Sequence, residues 1–229
     1  MNITIFGANG GIGKFVTKLA IDKGHNVTAV LRPNSKMIEK MRMDVIYAEL
    51  HQQDQINKAI ENADVIINAI GPSLDMSRKL KGTPIADGLQ NIISAMNKQN
   101  RKRLIIIGTP TLTSKEDKNH ITTILPKVMA KILYPNAYRE MKKMEKIIYV
   151  SNIDWTVVRF INPNLKTNGN GYDYVFGDKN GKLSISRYNI ANFIVEESMQ
   201  DKFIKRMPIV LRSWIHIGRG RRSARCRSR

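Results

Sequence analysis

An α/β fold is predicted, a doubly wound parallel sheet with helices on both faces, and three observations predict it. Apolar runs alternate with segments of helical period along almost the whole chain. Two of those runs, Val65-Ile66-Ile67 and Leu104-Ile105-Ile106-Ile107, are continuously apolar, as strands covered on both faces are. The first run, Ile3-Thr-Ile-Phe6, passes into glycines at Gly7, Gly10 and Gly13, and a helical pattern follows at once.

The elements follow in order. Strands are expected at 2–6, 26–31, 44–48, 64–70, 103–108 and 154–160. Between them, 12–23 repeats apolar residues three and four apart (Ile12, Val16, Leu19, Ala20), and 84–98 does the same (Ile85, Leu89, Ile92, Ile93, Met96). Two segments break the rhythm. Residues 71–83 form a long loop after the fourth strand. Residues 109–136 form a longer excursion after the fifth, with Pro110, Pro126 and Pro135 and a short helix near 121–133. Both leave the C-terminal ends of strands, where such sheets bind ligands, so they are the expected walls of a substrate pocket.

With 229 residues, 42% of them hydrophobic, the chain can bury one full core. The expected boundaries are a single domain over 1–211 and a basic tail over 212–229. The tail holds seven arginines and no acidic residue, and it uses no lysine, whereas the body is rich in lysine and asparagine. That abrupt shift reads as an expression scar, a frame-shifted end or a disordered extension. Removing the seven arginines lowers the formal charge from +19 to +12, spread along the body rather than gathered in a stripe, which argues against a nucleic-acid partner. No leader or membrane-length apolar run is evident, and the single cysteine, Cys226, lies in the tail, so a soluble cytoplasmic protein without disulfides is expected. No His, Asp or Glu cluster has metal-ligand spacing.

The glycine stretch Gly7-Ala8-Asn9-Gly10-Gly11-Ile12-Gly13 suits a phosphate. Glycines let the backbone approach closely, and a helix start offers free N–H groups and a positive dipole end. The second strand ends in Arg32, with Ser35 and Lys36 behind it. An acidic residue there would favour NAD, whereas a guanidinium can clamp a ribose 2′-phosphate. NADPH is therefore the expected cofactor.

Together with Val30-Leu31-Arg32-Pro33, Ala63-Asp64-Val65-Ile66-Ile67-Asn68-Ala69-Ile70-Gly71, Asp154-Trp155-Thr156-Val157-Val158-Arg159 and Ile185-Ser186-Arg187-Tyr188-Asn189-Ile190-Ala191, this stretch resembles the atypical short-chain dehydrogenases/reductases. Within them the chain is similar to the single-domain NAD(P)H-binding group of biliverdin reductase B-like flavin reductases and nitrogen-regulator-like proteins. The resemblance covers residues 1–211 and implies a Rossmann-type fold. It also places Glu49 and Leu50 beside the adenine, sets Ala69, Ile70 and Gly71 along the nicotinamide half, and implies a monomer or weak dimer.

Many short-chain reductases use Tyr-x-x-x-Lys, and Tyr138-Arg-Glu-Met-Lys142 has that spacing, one turn apart on a helix face. Counted back from Asp154-Trp155, the family's lysine falls on Met141 instead, and members of this group often lack the pair. Thr109 and Thr111 follow the fifth strand where related enzymes hold a substrate-orienting serine. His120 lies in the excursion with nothing evident to orient it. Tyr138, Lys142 and Thr109 are the candidate catalytic residues. The implied activity is NADPH-dependent reduction of a small planar acceptor, such as a flavin, quinone or carbonyl compound. The alternative is a non-catalytic NADP(H)-binding sensor that acts on a protein partner.

Overall fold

In the computed structural model, residues 1–35, 42–72, 82–165, 171–178 and 183–213 are described. Lys36, most of the 71–83 loop and residues 214–229 lie outside them.

The first half of the chain is a run of strands and helices: β1 (Asn2–Phe6), α1 (Gly13–Asp22), β2 (Asn26–Leu31), β3 (Asp44–Tyr47), α2 (Gln53–Ile60), β4 (Val65–Asn68) and α3 (Pro84–Lys98). The second half continues with β5 (Arg103–Gly108), α4 (Ile121–Leu133), α5 (Pro135–Val150), β6 (Asp154–Arg159), β7 (Pro163–Asn164), β8 (Tyr172–Val175), β9 (Ile185–Ser186), α6 (Arg187–Gln200) and β10 (Ile209–Arg212). The sheet runs β3-β2-β1-β4-β5-β6-β10-β8. Strands β1 to β6 and β10 are parallel, and β8 pairs antiparallel to β10. The order reverses between β1 and β4, which opens a crevice at their C-terminal ends. The doubly wound α/β expectation holds.

Side-chain alternation builds the two layers. Ile3, Ile5, Ile105 and Ile107 pack under α1 and α6, beside Val16, Leu19, Ile190 and Ile194. Phe6, Ile66, Leu104 and Ile106 face the other way, against Ile56 of α2, Leu89 and Ile92 of α3 and Met144 of α5. Each fully buried Ile, Leu or Phe contributes about 1.5–3 kcal/mol, so a strand apolar on both faces commits the chain to a sandwiched sheet.

Polar groups tie the layers to the sheet. Glu140 on α5 is buried and accepts hydrogen bonds from Ile85 N (3.1 Å) and Ala86 N (2.8 Å), which satisfies the open start of α3. At the other sheet edge, Arg103 bridges Glu197 (2.8 Å), Asp201 (2.5 Å) and Thr156 (2.8 Å), joining β5 and β6 to the end of α6.

Three strands end short of expectation, at Tyr47, Asn68 and Arg159. The sheet also extends past the expected boundary, with Arg212 opposite Tyr172. The strands β7 to β10 have no counterpart in the periodicity.

Candidate functional site

The crevice is a cleft of about 1140 Å³ lined by the C-terminal ends of β1, β2 and β4, the segment after β3 and the first turns of α3. Gly7, Asn9, Gly10 and Gly11 form its floor, with Arg32, Ser35, Glu49 and Leu50 on one side and Ala69, Ile70 and Gly71 on the other. Of the twelve residues expected to hold the cofactor, ten line this cleft, while Ile12 and Gly13 form the start of α1.

The glycines have distinct duties. Gly7 turns the chain at φ +76°, a left-handed conformation, and a Cβ there would meet Ile70 Cγ1 at 2.8 Å. A Cβ on Gly13 would lie 2.1 Å from the Gly7 carbonyl oxygen, so the start of α1 can pack on the loop only as glycine. Gly10 N donates to Gly7 O (2.9 Å), closing the turn. At its start α1 has neither a side-chain cap nor an acidic residue in its first turn, so its positive end faces the loop uncompensated. The loop therefore fits a pyrophosphate.

Arg32 is exposed, and no hydrogen bond or ion pair holds its side chain among the described residues. Beside it, Asn9 Nδ2 donates to Ser35 Oγ (3.2 Å), joining the glycine loop to the turn after β2. Leu50 packs on α3 at Gly88, where a Cβ would sit 2.4 Å from Leu50 Cδ1, and Asn91 Nδ2 donates to Leu50 O (2.7 Å). Glu49 pairs with His51 at 3.2 Å on the surface. Sequence reasoning missed the contribution of α3: Pro84, Ile85, Asp87, Gly88 and Asn91 all line the cleft. Pro84 at the first helical position is the readable signal for a helix N-terminus there.

The candidate catalytic residues stand apart from this floor. Tyr138 and Lys142 lie on α5, as their spacing requires. The Lys142 ammonium is engaged by Glu145 Oε1 (2.7 Å) and Thr113 Oγ1 (3.3 Å), and Glu145 Oε2 accepts from Thr113 N (2.5 Å). Thr109 Oγ1 accepts from Thr111 N (3.4 Å) in a local turn. No hydrogen bond engages the Tyr138 hydroxyl among the described residues. Tyr149 donates to Thr113 O (2.8 Å), and burial, with Glu145 nearby, holds its phenol above the usual range and so protonated.

His120 corrects an expectation. It is the N-cap of α4, its Nδ1 accepting from Thr122 N (3.3 Å), while Thr123 Oγ1 accepts from His120 N (3.2 Å). It is oriented, and its ring nitrogen serves the helix. Arg159 anchors the loop after β5: fully buried, it pairs with Asp117 and donates to Leu112 O (2.9 Å). A second cleft, about 1090 Å³, opens at the opposite sheet edge between Asn2, His25, Arg42 and Asn62, away from the glycine loop. The described residues hold no group of three metal-binding side chains and no helix long and apolar enough to cross a membrane.

Comparison with known proteins bears on the fold and the family. The isoflavone reductase homolog A622 of Nicotiana tabacum is 27% identical over 211 residues, covering 85% of this chain and 63% of its own length. The chain thus spans under two thirds of that relative. A short-chain dehydrogenase/reductase from Veillonella parvula, solved in complex with NADP, superposes with a TM-score of 0.73 at 19% identity, covering 94% of this chain and 96% of its own. The anaerobilin reductase ChuY from Escherichia coli O157:H7 gives 0.73 at 15% identity, covering 94% and 98%. These two show a shared fold. Residues 7–201 match the NAD(P)H-binding family, from the first glycine of the loop to the end of α6, and the chain belongs to that family.

Proposed function

We propose that the protein is an NADPH-dependent oxidoreductase that reduces a small planar acceptor: a flavin, a quinone or a carbonyl compound. One observation carries the choice of cofactor. Arg32 directly follows β2 with its guanidinium exposed and unengaged, where the adenosine ribose of a crevice-bound dinucleotide belongs. Gly7, Asn9, Gly10, Gly11, Ile12 and Gly13 would hold the pyrophosphate, Glu49 and Leu50 the adenine side, and Ala69, Ile70 and Gly71 the nicotinamide half. When bound, the cofactor supplies the hydride.

The protein's part is to place the acceptor, exclude water and furnish a proton where the acceptor needs one. Tyr138 is the proposed proton donor, because its hydroxyl is uncommitted. Lys142 shares its charge with Glu145. Thr109 is the proposed hydroxyl toward the acceptor oxygen. After β5 the chain presents α4, whose Ile121, Ile124, Leu125, Val128 and Met129 are exposed, an apolar surface suited to a flat acceptor. That A622 is named an isoflavone reductase homolog and ChuY an anaerobilin reductase supports planar acceptors as a class.

The commitment of Lys142 to Glu145 favours the second reading, a sensor that binds NADP(H) without turnover. A flavin, quinone and carbonyl panel, incubated with NADPH in the absence of oxygen, separates the two. Oxidation of NADPH matched by reduction of an acceptor supports the reductase. Tight NADPH binding with no transfer to any acceptor contradicts it.

A further inference from the structure

We propose that Arg187 is a second cationic anchor for the cofactor, an arm that folds over the glycine loop and binds the pyrophosphate at the phosphate nearer the nicotinamide. The inference rests on the cofactor reading above.

The contact is specific. A Cβ built on Gly11 would lie 2.8 Å from Arg187 Nη1, 3.1 Å from Cζ and 3.4 Å from Nε. The guanidinium therefore lies along the face of Gly11, and any larger residue there would displace it. Gly11 also lines the cofactor cleft. Its glycine is not needed for a positive φ, unlike Gly7, and the three atoms that a methyl group at this position would meet first all belong to the Arg187 side chain. Room for Arg187 is what it supplies.

The arm is held at its root. Ser186 caps α6 by accepting from Asn189 N (3.1 Å), and β9 pairs with β7 through Ser186 and Asn164. The Tyr188 ring meets Phe15 edge-on at 6.2 Å, joining the first turn of α6 to that of α1. These contacts set where the guanidinium can reach.

Its charge has no other account. Arg187 is partly buried, and no hydrogen bond or ion pair holds it among the described residues. It occupies the first position of α6, where a cation opposes the helix dipole, and no acidic residue follows in that turn. The uncapped positive end of α1 lies beside it across Gly11. An anion in the loop relieves this convergence of positive charge, and a guanidinium grips phosphate oxygens through paired N–H groups. Arg32 lines the β2 side of the cleft, whereas Arg187 comes from α6 and lies against Gly11, so the two would engage different phosphates.

Titration of the full chain with NADP⁺, NAD⁺ and adenosine 2′,5′-bisphosphate tests this. Arg187→Gln is expected to weaken NADP⁺ and NAD⁺ alike, by about tenfold, while leaving adenosine 2′,5′-bisphosphate, which lacks the outer phosphate, within about twofold. Gly11→Ala, whose methyl expels the arm, should match it, and the double variant should bind no more weakly than either single one. The free protein's melting temperature should not change, since the arm makes no ion pair to lose. Wild-type NADP⁺ affinity in Arg187→Gln, with binding still abolished by Gly10→Asp, overturns the arm and leaves the cofactor reading intact. An equal loss for adenosine 2′,5′-bisphosphate overturns its placement. Absence of any nucleotide binding by the wild type overturns both.

Discussion

Arg159 and Asp117 form a two-pronged ion pair, Nη1 to Oδ2 at 2.7 Å and Nη2 to Oδ1 at 2.6 Å, that ties the loop after β5 to the end of β6. Arg159 is fully buried, so its charge depends on this partner. Asp117→Ala should therefore destabilise the protein by about 3–5 kcal/mol, the cost of a buried charge left alone. Glu116→Ala, which breaks the exposed pair with Arg206, should cost under about 1 kcal/mol. Denaturant midpoints of the two variants measure the contrast, and equal midpoints would remove Arg159 as the anchor of this loop.

Lys142→Met should leave NADPH affinity within about twofold and cost about 1 kcal/mol of stability, because the ammonium serves Glu145 and Thr113. A tenfold or greater loss of NADPH affinity would mean that the lysine leaves Glu145 to hold the nicotinamide ribose, as the Tyr-x-x-x-Lys pattern predicts. Fluorescence titration of the variant decides between the two.

Gly13→Ala and Gly11→Ala should separate a packing glycine from a space-making one. At Gly13 the methyl meets the Gly7 carbonyl oxygen, so the loop cannot close and about 1–3 kcal/mol of stability should be lost along with cofactor binding. At Gly11 the methyl first meets the flexible end of Arg187, which can move aside, and stability should be unchanged. Melting curves without cofactor report the difference.

His25 gives a pH signature at the far edge of the sheet. Burial, then the N-terminal amine and Lys23, hold its imidazole below the usual 6.5. The unfolded chain thus binds this proton more readily than the folded one. Stability from this group is present above pH 6.5 and is lost as pH falls through the lowered folded value. His25→Gln should flatten the decline in denaturant midpoint between about pH 7 and about pH 5; an unchanged slope would assign the decline to other groups.

Much of this was legible because local pattern and tertiary role coincide. Continuous apolar runs such as Leu104-Ile105-Ile106-Ile107 read as buried parallel strands, and both layers of the core need them. The glycine loop was legible because Gly7 and Gly13 are demanded by backbone geometry that glycine alone meets. The pairs β7–β9 and β8–β10 were not legible. Two-residue strands such as Ile185–Ser186 have no period, and Tyr172–Val175 finds its partner strand only after the whole of α6 has intervened. The partner of Lys142 was not read from the sequence: the helix that sets it one turn from Tyr138 also sets Glu145 within reach. The contact between Gly11 and Arg187 joins residues far apart in sequence, so no spacing announces it.

Binding of NADPH and NADH to the full chain by titration calorimetry, for the wild type and for Arg32→Asp, tests the central claim most directly. The account predicts tight NADPH and weak NADH binding in the wild type, with the preference lost or reversed by Arg32→Asp. Equal affinity for the two nucleotides, unmoved by the substitution, would contradict it.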